Sequence, residues 1–264
     1  MASKGTRPGI DSVLPVTITF GTTAAVAGIV FLSAVLQRAV GFGFALLAVP
    51  LAAFVVPTKS AVVIVFLSGW VISWWLAIRL RQWIEWPTAR RLTIGCALGA
   101  PVGVVILSAV PATALRFALG VSTFLAALWT IVSSRVLRRE PAVGHPATFA
   151  LGLVSGVVNT SLATGGPPLV YALRRSGLLD DRFRATISVV FVFSNVIGLP
   201  LLIVAGLVTS FDVKVAATSL VPCLLGMTAG SVVGRVMRST HFVWAVDVLL
   251  LATGVLTMTK ALLS

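Results

Sequence analysis

Polar side chains and a Gly-Gly-Pro-Pro sequence interrupt an apolar stretch of the chain between residues 155 and 171. An unbroken membrane helix satisfies its own backbone, so a break at membrane depth is tolerated only where it is buried in protein or lines a cavity. The segment therefore predicts a binding site for a small polar ligand. The side chains that offer hydroxyl or amide groups beside the break are Ser155, Asn159, Thr160, Ser161 and Thr164.

The glycines and prolines of this segment predict a short helix that starts within the break. Gly165 and Gly166 permit the turn and a close approach of the backbone, and Pro167 or Pro168 suits a first helical position, where no amide proton is needed. The start of the new helix, over about residues 167–173, offers N–H groups and the positive end of its dipole, both of which favour anions. We expect a small oxyanion to bind there.

A related break is predicted in the first half of the chain, where Gly41-Phe-Gly43 precedes an apolar stretch of residues 44–56. Arg38 either supplies a charge and a bidentate fork to a carboxylate or sulfonate, or extends to the membrane interface. Asn195 lies in mid-helix, where its amide either lines the site or bonds to another helix. The candidate binding residues are Gln37, Arg38, Gly41, Gly43, Ser155, Asn159, Thr160, Ser161, Thr164, Gly165, Gly166, Pro167 and Asn195.

The polar residues of the second break also have a structural interpretation. Ser and Thr side chains in membrane helices often bond to their own backbone or join neighbouring helices. Five such residues within ten, beside two glycines and two prolines, are more than that role requires. The cluster as a whole therefore favours contact with a ligand.

The composition indicates an all-α polytopic membrane protein. Of 264 residues, 58% are hydrophobic and 10% are charged, whereas soluble domains carry about 25% charged residues. The net charge of +13 comes mainly from short Arg and Lys clusters between apolar stretches, which is typical of cytoplasmic loops and not of nucleic-acid binding. Two cysteines within apolar spans indicate neither a disulfide framework nor a metal cluster, and no cofactor is expected.

The basic loops set the predicted orientation of the spans. Loops 79–91, 135–146, 174–184 and 235–241 are rich in Arg and are placed inside, so the C-terminus falls outside and the side of the N-terminus stays open. Residues 147–173 lie between two inside loops and must turn back at depth, which gives about eight transmembrane helices with broken, re-entrant segments. The predicted apolar segments are 14–36, 40–57, 59–79, 92–109, 115–134, 147–173, 185–207, 215–234 and 242–262.

An internal repeat is predicted within a single transmembrane domain of residues 1–264. The pattern C-x-L-G-x-x-x-G occurs at Cys96–Gly103 and again at Cys223–Gly230, and Lys59–Phe66 aligns with Arg184–Phe191. Segments 59–79 and 185–207 then cross the membrane in opposite directions. This predicts two inverted repeats, about 14–134 and 147–262, joined by the basic cytoplasmic loop 135–146, an architecture of secondary transporters.

Both breaks resemble the paired motifs of one known family. Gly41-Phe-Gly43-Phe-Ala-Leu-Leu-Ala-Val-Pro50-Leu and Ser155-Gly156…Gly165-Gly-Pro-Pro168 resemble the glycine-rich signatures of the TauE/SafE sulfite exporter family. The resemblance implies a multi-pass permease of the bacterial inner membrane for small sulfur-containing or organic anions, such as sulfite, sulfonates or carboxylates. The positions that match are Gly41, Gly43, Pro50, Ser155, Gly156, Gly166 and Pro168.

The main functional hypothesis is a secondary anion transporter that works by alternating access. Its partners would be a small anionic substrate and the lipid bilayer, with a homo-oligomer left open. An intramembrane enzyme is a weaker alternative, because a serine nucleophile needs a base and His145 and His241 both lie in loops. A non-transporting membrane scaffold subunit is the other alternative, and measured anion flux would separate it from a transporter.

Overall fold

The computed structural model describes residues 20–40, 43–136, 144–236 and 240–263. Among these residues every regular element is a helix, which confirms the all-α prediction. A short 3₁₀ turn at Arg81–Trp83 follows the third helix. The α-helices are α1 (Phe20–Val40), α2 (Phe44–Ala52), α3 (Thr58–Arg79), α4 (Trp86–Ala109), α5 (Ala112–Val136), α6 (His145–Leu162), α7 (Gly166–Arg175), α8 (Asp180–Val204), α9 (Ser210–Thr218), α10 (Leu220–Val236) and α11 (Thr240–Leu263).

Six stretches within the described residues are long and apolar enough to cross a membrane, and they indicate a multi-pass membrane protein. Large apolar side chains such as Leu98, Val105 and Leu225 are more than half exposed on the outer faces of their helices, where acyl chains would cover them. The predicted count of about eight spans stays a prediction. The six stretches are Phe20–Arg38, Thr58–Arg79, Trp86–Ala109, Ala112–Ile131, Asp180–Val204 and Ser210–Val232.

Both predicted helix breaks are present. In the second half, α6 ends at Leu162 and α7 begins at Gly166, within the predicted interruption of residues 147–173. In the first half, α2 begins directly after Gly43, whose φ of +104° is a conformation that side chains with a Cβ rarely adopt. Each half of the chain therefore contains one short helix that starts after a glycine.

The helix bounds differ from the predicted segments at two places. Residues 215–234 were expected as one span and overlap the single membrane-length stretch Ser210–Val232, but the regular helix within it is interrupted at Ser219, between α9 and α10. Pro222 contributes to this interruption, because proline has no N–H and its ring crowds the carbonyl of Thr218. Helix α4 begins at Trp86 and not near residue 92, because Glu85 accepts a hydrogen bond from Thr88 N–H and caps the helix start.

The two copies of the C-x-L-G-x-x-x-G pattern mark the closest helix contacts. A Cβ atom on Gly226 of α10 would lie 2.5 Å from the carbonyl oxygen of Phe31 on α1. A Cβ atom on Gly99 of α4 would overlap the carbonyl oxygen of Leu153 on α6. Glycine thus permits backbone-to-backbone packing of α4 on α6 and of α10 on α1. In each case the helix with the pattern packs on the first helix of the other half.

The centre of the molecule is formed by α3 and α8, which pack against each other and are the most buried of the six membrane-length stretches. The short helices α2 and α7 lie beside them, since α2 packs on α3 and α7 packs on α8. The starts of both short helices are thereby held against the central helices, and the candidate site lies there.

Candidate functional site

A cavity lies where the starts of α2 and α7 meet α1, α3, α6 and α8. Its water-accessible volume is about 60 Å³, and since one water needs about 10–15 Å³ by this measure, several waters or one small anion fit. The described residues of the lining include no side chain with a formal charge. They are Gln37, Gly43, Phe44, Ala45, Leu46, Val65, Phe66, Gly69, Ile72, Ser73, Asn159, Ala163, Thr164, Gly166, Phe191 and Asn195.

Gln37 connects α1 to the start of α2. Its Oε1 atom accepts a hydrogen bond of 2.9 Å from the backbone N–H of Phe44, the first residue of α2, and so satisfies a donor that has no partner within the helix. Because the carbonyl end of this amide is used, its Nε2 group keeps two N–H donors. Gln37 lines the cavity, so these donors are available to a ligand.

Asn159 on α6 and Asn195 on α8 form a buried amide pair. The Nδ2 group of Asn159 donates to the Oδ1 atom of Asn195 over 2.8 Å, and both residues line the cavity. One donor and one acceptor are used in this bond, so the Nδ2 group of Asn195 keeps its N–H donors. Asn195 therefore both lines the cavity and bonds to a neighbouring helix.

The start of α7 offers fewer backbone donors than the sequence suggested. The first N–H groups of a helix have no intrahelical acceptor, but the second and third residues of α7 are Pro167 and Pro168, which have no N–H. Gly166 supplies the remaining N–H, no side chain caps it, and Gly166 lines the cavity. A ligand at this helix start would meet one N–H group and the positive end of the dipole.

Ser155 and Gly165 shape the break itself. The Ser155 hydroxyl donates to the carbonyl oxygen of Gly165 over 2.7 Å, and a Cβ atom on Gly165 would lie 2.6 Å from the carbonyl oxygen of Ser155. The residue that ends α6, Ala163, adopts a left-handed φ of 56°. Neither Ser155 nor Gly165 lines the cavity, so the structure places both in the framework of the turn.

Thr160 and Ser161 bond to backbone carbonyls and lie away from the cavity lining. The Thr160 hydroxyl donates to Ala100 of α4 and to Gly156 of its own helix, each over 2.9 Å. The Ser161 hydroxyl donates to Val157 over 2.7 Å. These are the helix-joining and self-bonding roles that Ser and Thr take in membrane helices. Thr164, by contrast, lines the cavity.

The remaining predicted residues lie outside the described lining. Arg38 faces α10, where a Cβ atom on Gly230 would lie 2.8 Å from the Cβ atom of Arg38. Pro167 lines a separate groove on the other side of Thr164. Gly41 lies outside the described residues. Within the described ranges, no group of three or more His, Cys, Asp and Glu side chains could hold a metal ion.

The cavity and both helix breaks lie in the part of the chain that matches one protein family. The family described as Sulfite exporter TauE/SafE matches the chain over residues 26–257, which runs from α1 to α11 and includes both helix breaks. The chain belongs to the TauE/SafE sulfite exporter family. No curated protein and no solved structure matches it. The resemblance inferred from the two glycine-rich motifs is thereby confirmed.

The aromatic wall of the cavity in this TauE/SafE protein was not identified from the sequence. Phe44 of α2, Phe66 of α3 and Phe191 of α8 all line it, together with Ser73. A signal was present, because the aligned repeat segments 59–66 and 184–191 each end in phenylalanine. Those two phenylalanines, Phe66 and Phe191, lie on the same cavity.

Proposed function

We propose that the protein is a permease of the bacterial inner membrane that carries small sulfur-containing or organic monoanions by alternating access. Sulfite in its monoanionic form, hydrogensulfite, and short sulfonates and carboxylates are the substrates with the right size and charge. The observation that carries this proposal is a central cavity with neutral hydrogen-bond donors at the starts of two short helices. Membership of a sulfite exporter family supports it.

Neutral donors suit a monoanion better than a dianion. Gln37 and Asn195 offer amide N–H groups, Gly166 offers a backbone N–H, and the dipoles of α2 and α7 place positive ends at the cavity. Such groups replace part of the hydration shell of an oxyanion without a fixed counter-charge. Desolvation costs increase with the square of the charge, so a dianion without a paired cation would be strongly disfavoured.

The aromatic side chains favour an organic group on the substrate. Phe44, Phe66 and Phe191 give the cavity an apolar wall beside its amide donors. A methyl or ethyl group would gain burial against these rings, whereas an inorganic oxyanion would leave them in contact with its polar surface. Short alkanesulfonates and carboxylates therefore fit the lining better than sulfate does.

The packing pattern supports the inverted-repeat proposal. Helix α4 packs on α6 and helix α10 packs on α1, so in each half the helix with the C-x-L-G-x-x-x-G pattern packs on the first helix of the other half. The short helices pack alike within their own halves, α2 on α1 and α3 and α7 on α6 and α8, but α2 also packs on α5 and α11. We interpret this asymmetry as one end state of a carrier, in which the other state exchanges the two arrangements.

Replacement of Gly166 by leucine tests the proposed site. A Cβ atom at Gly166 meets no other atom within 4 Å, so a leucine side chain can enter the cavity without a backbone clash. We expect Gly166→Leu to fold normally and to lose the flux of sulfite, methanesulfonate and acetate in proteoliposomes. Folding would be checked by thermal unfolding and size-exclusion chromatography.

The same substitution at Gly28 is a matched control. Gly28 lies on an exposed face of α1, and a Cβ atom there also meets nothing within 4 Å. We expect Gly28→Leu to keep wild-type flux. Unchanged flux in Gly166→Leu, or equal losses in both variants, would reject the cavity as the transport site. A wild-type protein that carries none of the three anions would favour the scaffold alternative.

A further inference from the structure

A second opening, separate from the central cavity, lies between α5, α6 and α7. Its volume is about 660 Å³ and its lining is predominantly apolar. At one end the rings of Trp129 and Tyr171 meet edge to face, with centroids 5.2 Å apart. At the other end the hydroxyl oxygens of Ser122 and Thr164 lie 3.4 Å apart. We call this opening the lateral groove.

The lateral groove has the dimensions of a site for part of an acyl chain. Its two ends are seven residues apart on α5, from Ser122 to Trp129, which corresponds to about 10 Å of helix rise. The side chains between them, among them Leu125 and Val154, are about half exposed in the described structure. The groove thus opens to the side of the helix bundle, towards the hydrocarbon region of the bilayer.

The aromatic end of the lateral groove is cationic. The guanidinium of Arg175 lies 5.5 Å from the centroid of the Tyr171 ring, in a cation–π contact. Arg174 precedes it in the last turn of α7, and the loop that follows belongs to the basic loops assigned to the inside. A groove with an apolar body and a cationic mouth is complementary to a lipid with an anionic headgroup.

We propose that the lateral groove binds one acyl chain of an anionic phospholipid, with the phosphate at Arg175 and the chain directed towards Thr164. A second copy of the chain suits the groove less well, because membrane helix contacts use small residues and this lining is rich in leucine and valine. The tail of a transported anion also fits less well, because the contact of Ser122 with Thr164 closes the inner end.

The bound lipid would act on the transport cavity through one residue. Thr164 lines both the lateral groove and the central cavity, and it follows the left-handed Ala163 at the end of α6. A chain packed against Thr164 restrains this side of the cavity. Anionic lipid is therefore expected to change anion flux, and this part of the inference rests on the proposed function.

Lipid binding can be measured independently of transport, by native mass spectrometry of delipidated protein titrated with phosphatidylglycerol or phosphatidylcholine. We expect phosphatidylglycerol to bind more tightly, and Arg175→Gln to weaken it about fivefold. Val154→Phe, which fills the groove, should weaken it as much. The controls are Arg79→Gln, whose guanidinium lies 5.0 Å from the Trp75 ring on α3, and Val105→Phe on the exposed face of α4; both should keep wild-type affinity.

Four results would overturn the lipid assignment. If Arg175→Gln and Arg79→Gln weakened the binding of phosphatidylglycerol equally, the effect would come from general surface charge and not from the groove. If Val154→Phe bound phosphatidylglycerol with wild-type affinity, the lipid would not occupy the groove. If the wild type formed a dimer and only Val154→Phe lost it, a second copy of the chain would occupy the groove instead. Displacement of phosphatidylglycerol by methanesulfonate in competition would assign the groove to the substrate.

The functional consequence is tested by flux in vesicles with and without phosphatidylglycerol. We expect wild-type flux to depend on this lipid and Val154→Phe to be insensitive to it. A protein that binds lipid in the groove but carries no anion would reject the proposed function and leave the lipid site standing. A protein that carries anions with equal lipid dependence in wild type and Val154→Phe would reject the lipid site alone.

Discussion

At the residue scale, the amide pair of Asn159 and Asn195 best explains how the cavity can select an anion. Each asparagine is about 4% exposed, so its amide groups need partners. Their mutual hydrogen bond pairs the Nδ2 group of Asn159 with the Oδ1 atom of Asn195 and holds both side chains in place. The Nδ2 group of Asn195 is then held in place as a donor before any ligand arrives, and little side-chain entropy remains to be lost on binding.

Replacement of Asn195 by aspartate tests this donor. The shape is kept and Asn159 can still donate to the new carboxylate, but the N–H donors are replaced by a negative charge. We expect Asn195→Ala to weaken anion affinity by about tenfold, the value of a hydrogen bond to a charged group, and Asn195→Asp to weaken it further. Affinity would be measured by thermal-shift titration with sulfite and methanesulfonate.

Ser161→Ala is the control for this pair, because the Ser161 hydroxyl bonds within its own helix and lies off the cavity. It should keep wild-type affinity. If Asn195→Ala binds anions as tightly as the wild type does, the donor role of Asn195 is wrong.

The sequence located the polar cluster but not the direction of each side chain. Successive helix residues point about 100° apart, so Asn159, Thr160 and Ser161 could not all face one cavity. Of the three, only Asn159 does. The rotation of a helix about its axis depends on packing against its neighbours, and the glycine contacts of α4 with α6 that set it were not readable as such in the sequence.

At the scale of elements, the turn between α6 and α7 depends on Gly165, whose close contact with the backbone of Ser155 leaves no room for a Cβ atom. Gly165 lies against the backbone of Ser155, whereas Gly166 faces open space. Adjacent glycines therefore have different roles, one in folding and the other in the lining of the cavity. The Ser155 hydroxyl adds a hydrogen bond that holds the two sides of the turn together.

Alanine substitutions at the two glycines should separate these roles. A Cβ atom on Gly165 would lie 2.6 Å from the carbonyl oxygen of Ser155, so we expect Gly165→Ala to destabilise the fold by about 1–3 kcal/mol. Gly166→Ala should leave stability within about 0.5 kcal/mol of wild type. Thermal unfolding in detergent measures both, and equal melting temperatures would contradict the assignment.

The helix breaks illustrate what local sequence can predict. The Gly-Gly-Pro-Pro sequence indicated the break at Gly165 correctly, because two glycines and two prolines disfavour a continuous helix together. The break at Ser219 was missed although Pro222 could have indicated it. A single proline is tolerated inside other helices of this protein, as at Pro101 in α4 and Pro200 in α8, so proline alone does not decide where a helix ends.

At the scale of the whole molecule, the two halves begin with the same order of elements. In each, a long helix is followed by a short helix that starts after a glycine and then by a second long helix, α3 in the first half and α8 in the second. The positive-inside rule predicts that the end of α3 and the start of α8 lie on the same side of the membrane. We therefore expect these two helices to cross the membrane in opposite directions.

Cysteine labelling can test this orientation without removal of the native thiols, because Cys96 and Cys223 are buried and should not react with a membrane-impermeant maleimide. We expect Ala112→Cys and Ser210→Cys to be labelled from outside intact cells. Gln82→Cys and Arg182→Cys should react only after permeabilisation, since they lie in the basic loops. All four positions are exposed.

The inverted arrangement would be rejected by labelling of Ala112→Cys and Ser210→Cys from opposite sides of the membrane. Labelling of Arg182→Cys in intact cells would instead show that the assignment by positive charge is wrong. The expression level and thermal stability of each variant provide the control for misfolding.

The neutral lining of the cavity has a consequence for energetics. Because no described lining residue carries a formal charge, the loaded carrier would move the full charge of its cargo while the empty carrier moves none. Transport would then be electrogenic, and a voltage of about 100 mV, negative inside, would bias outward movement by about 2.3 kcal/mol per anion. The return of the empty carrier would be insensitive to voltage. We therefore expect export to proceed without a coupling ion and to slow when an ionophore collapses the potential.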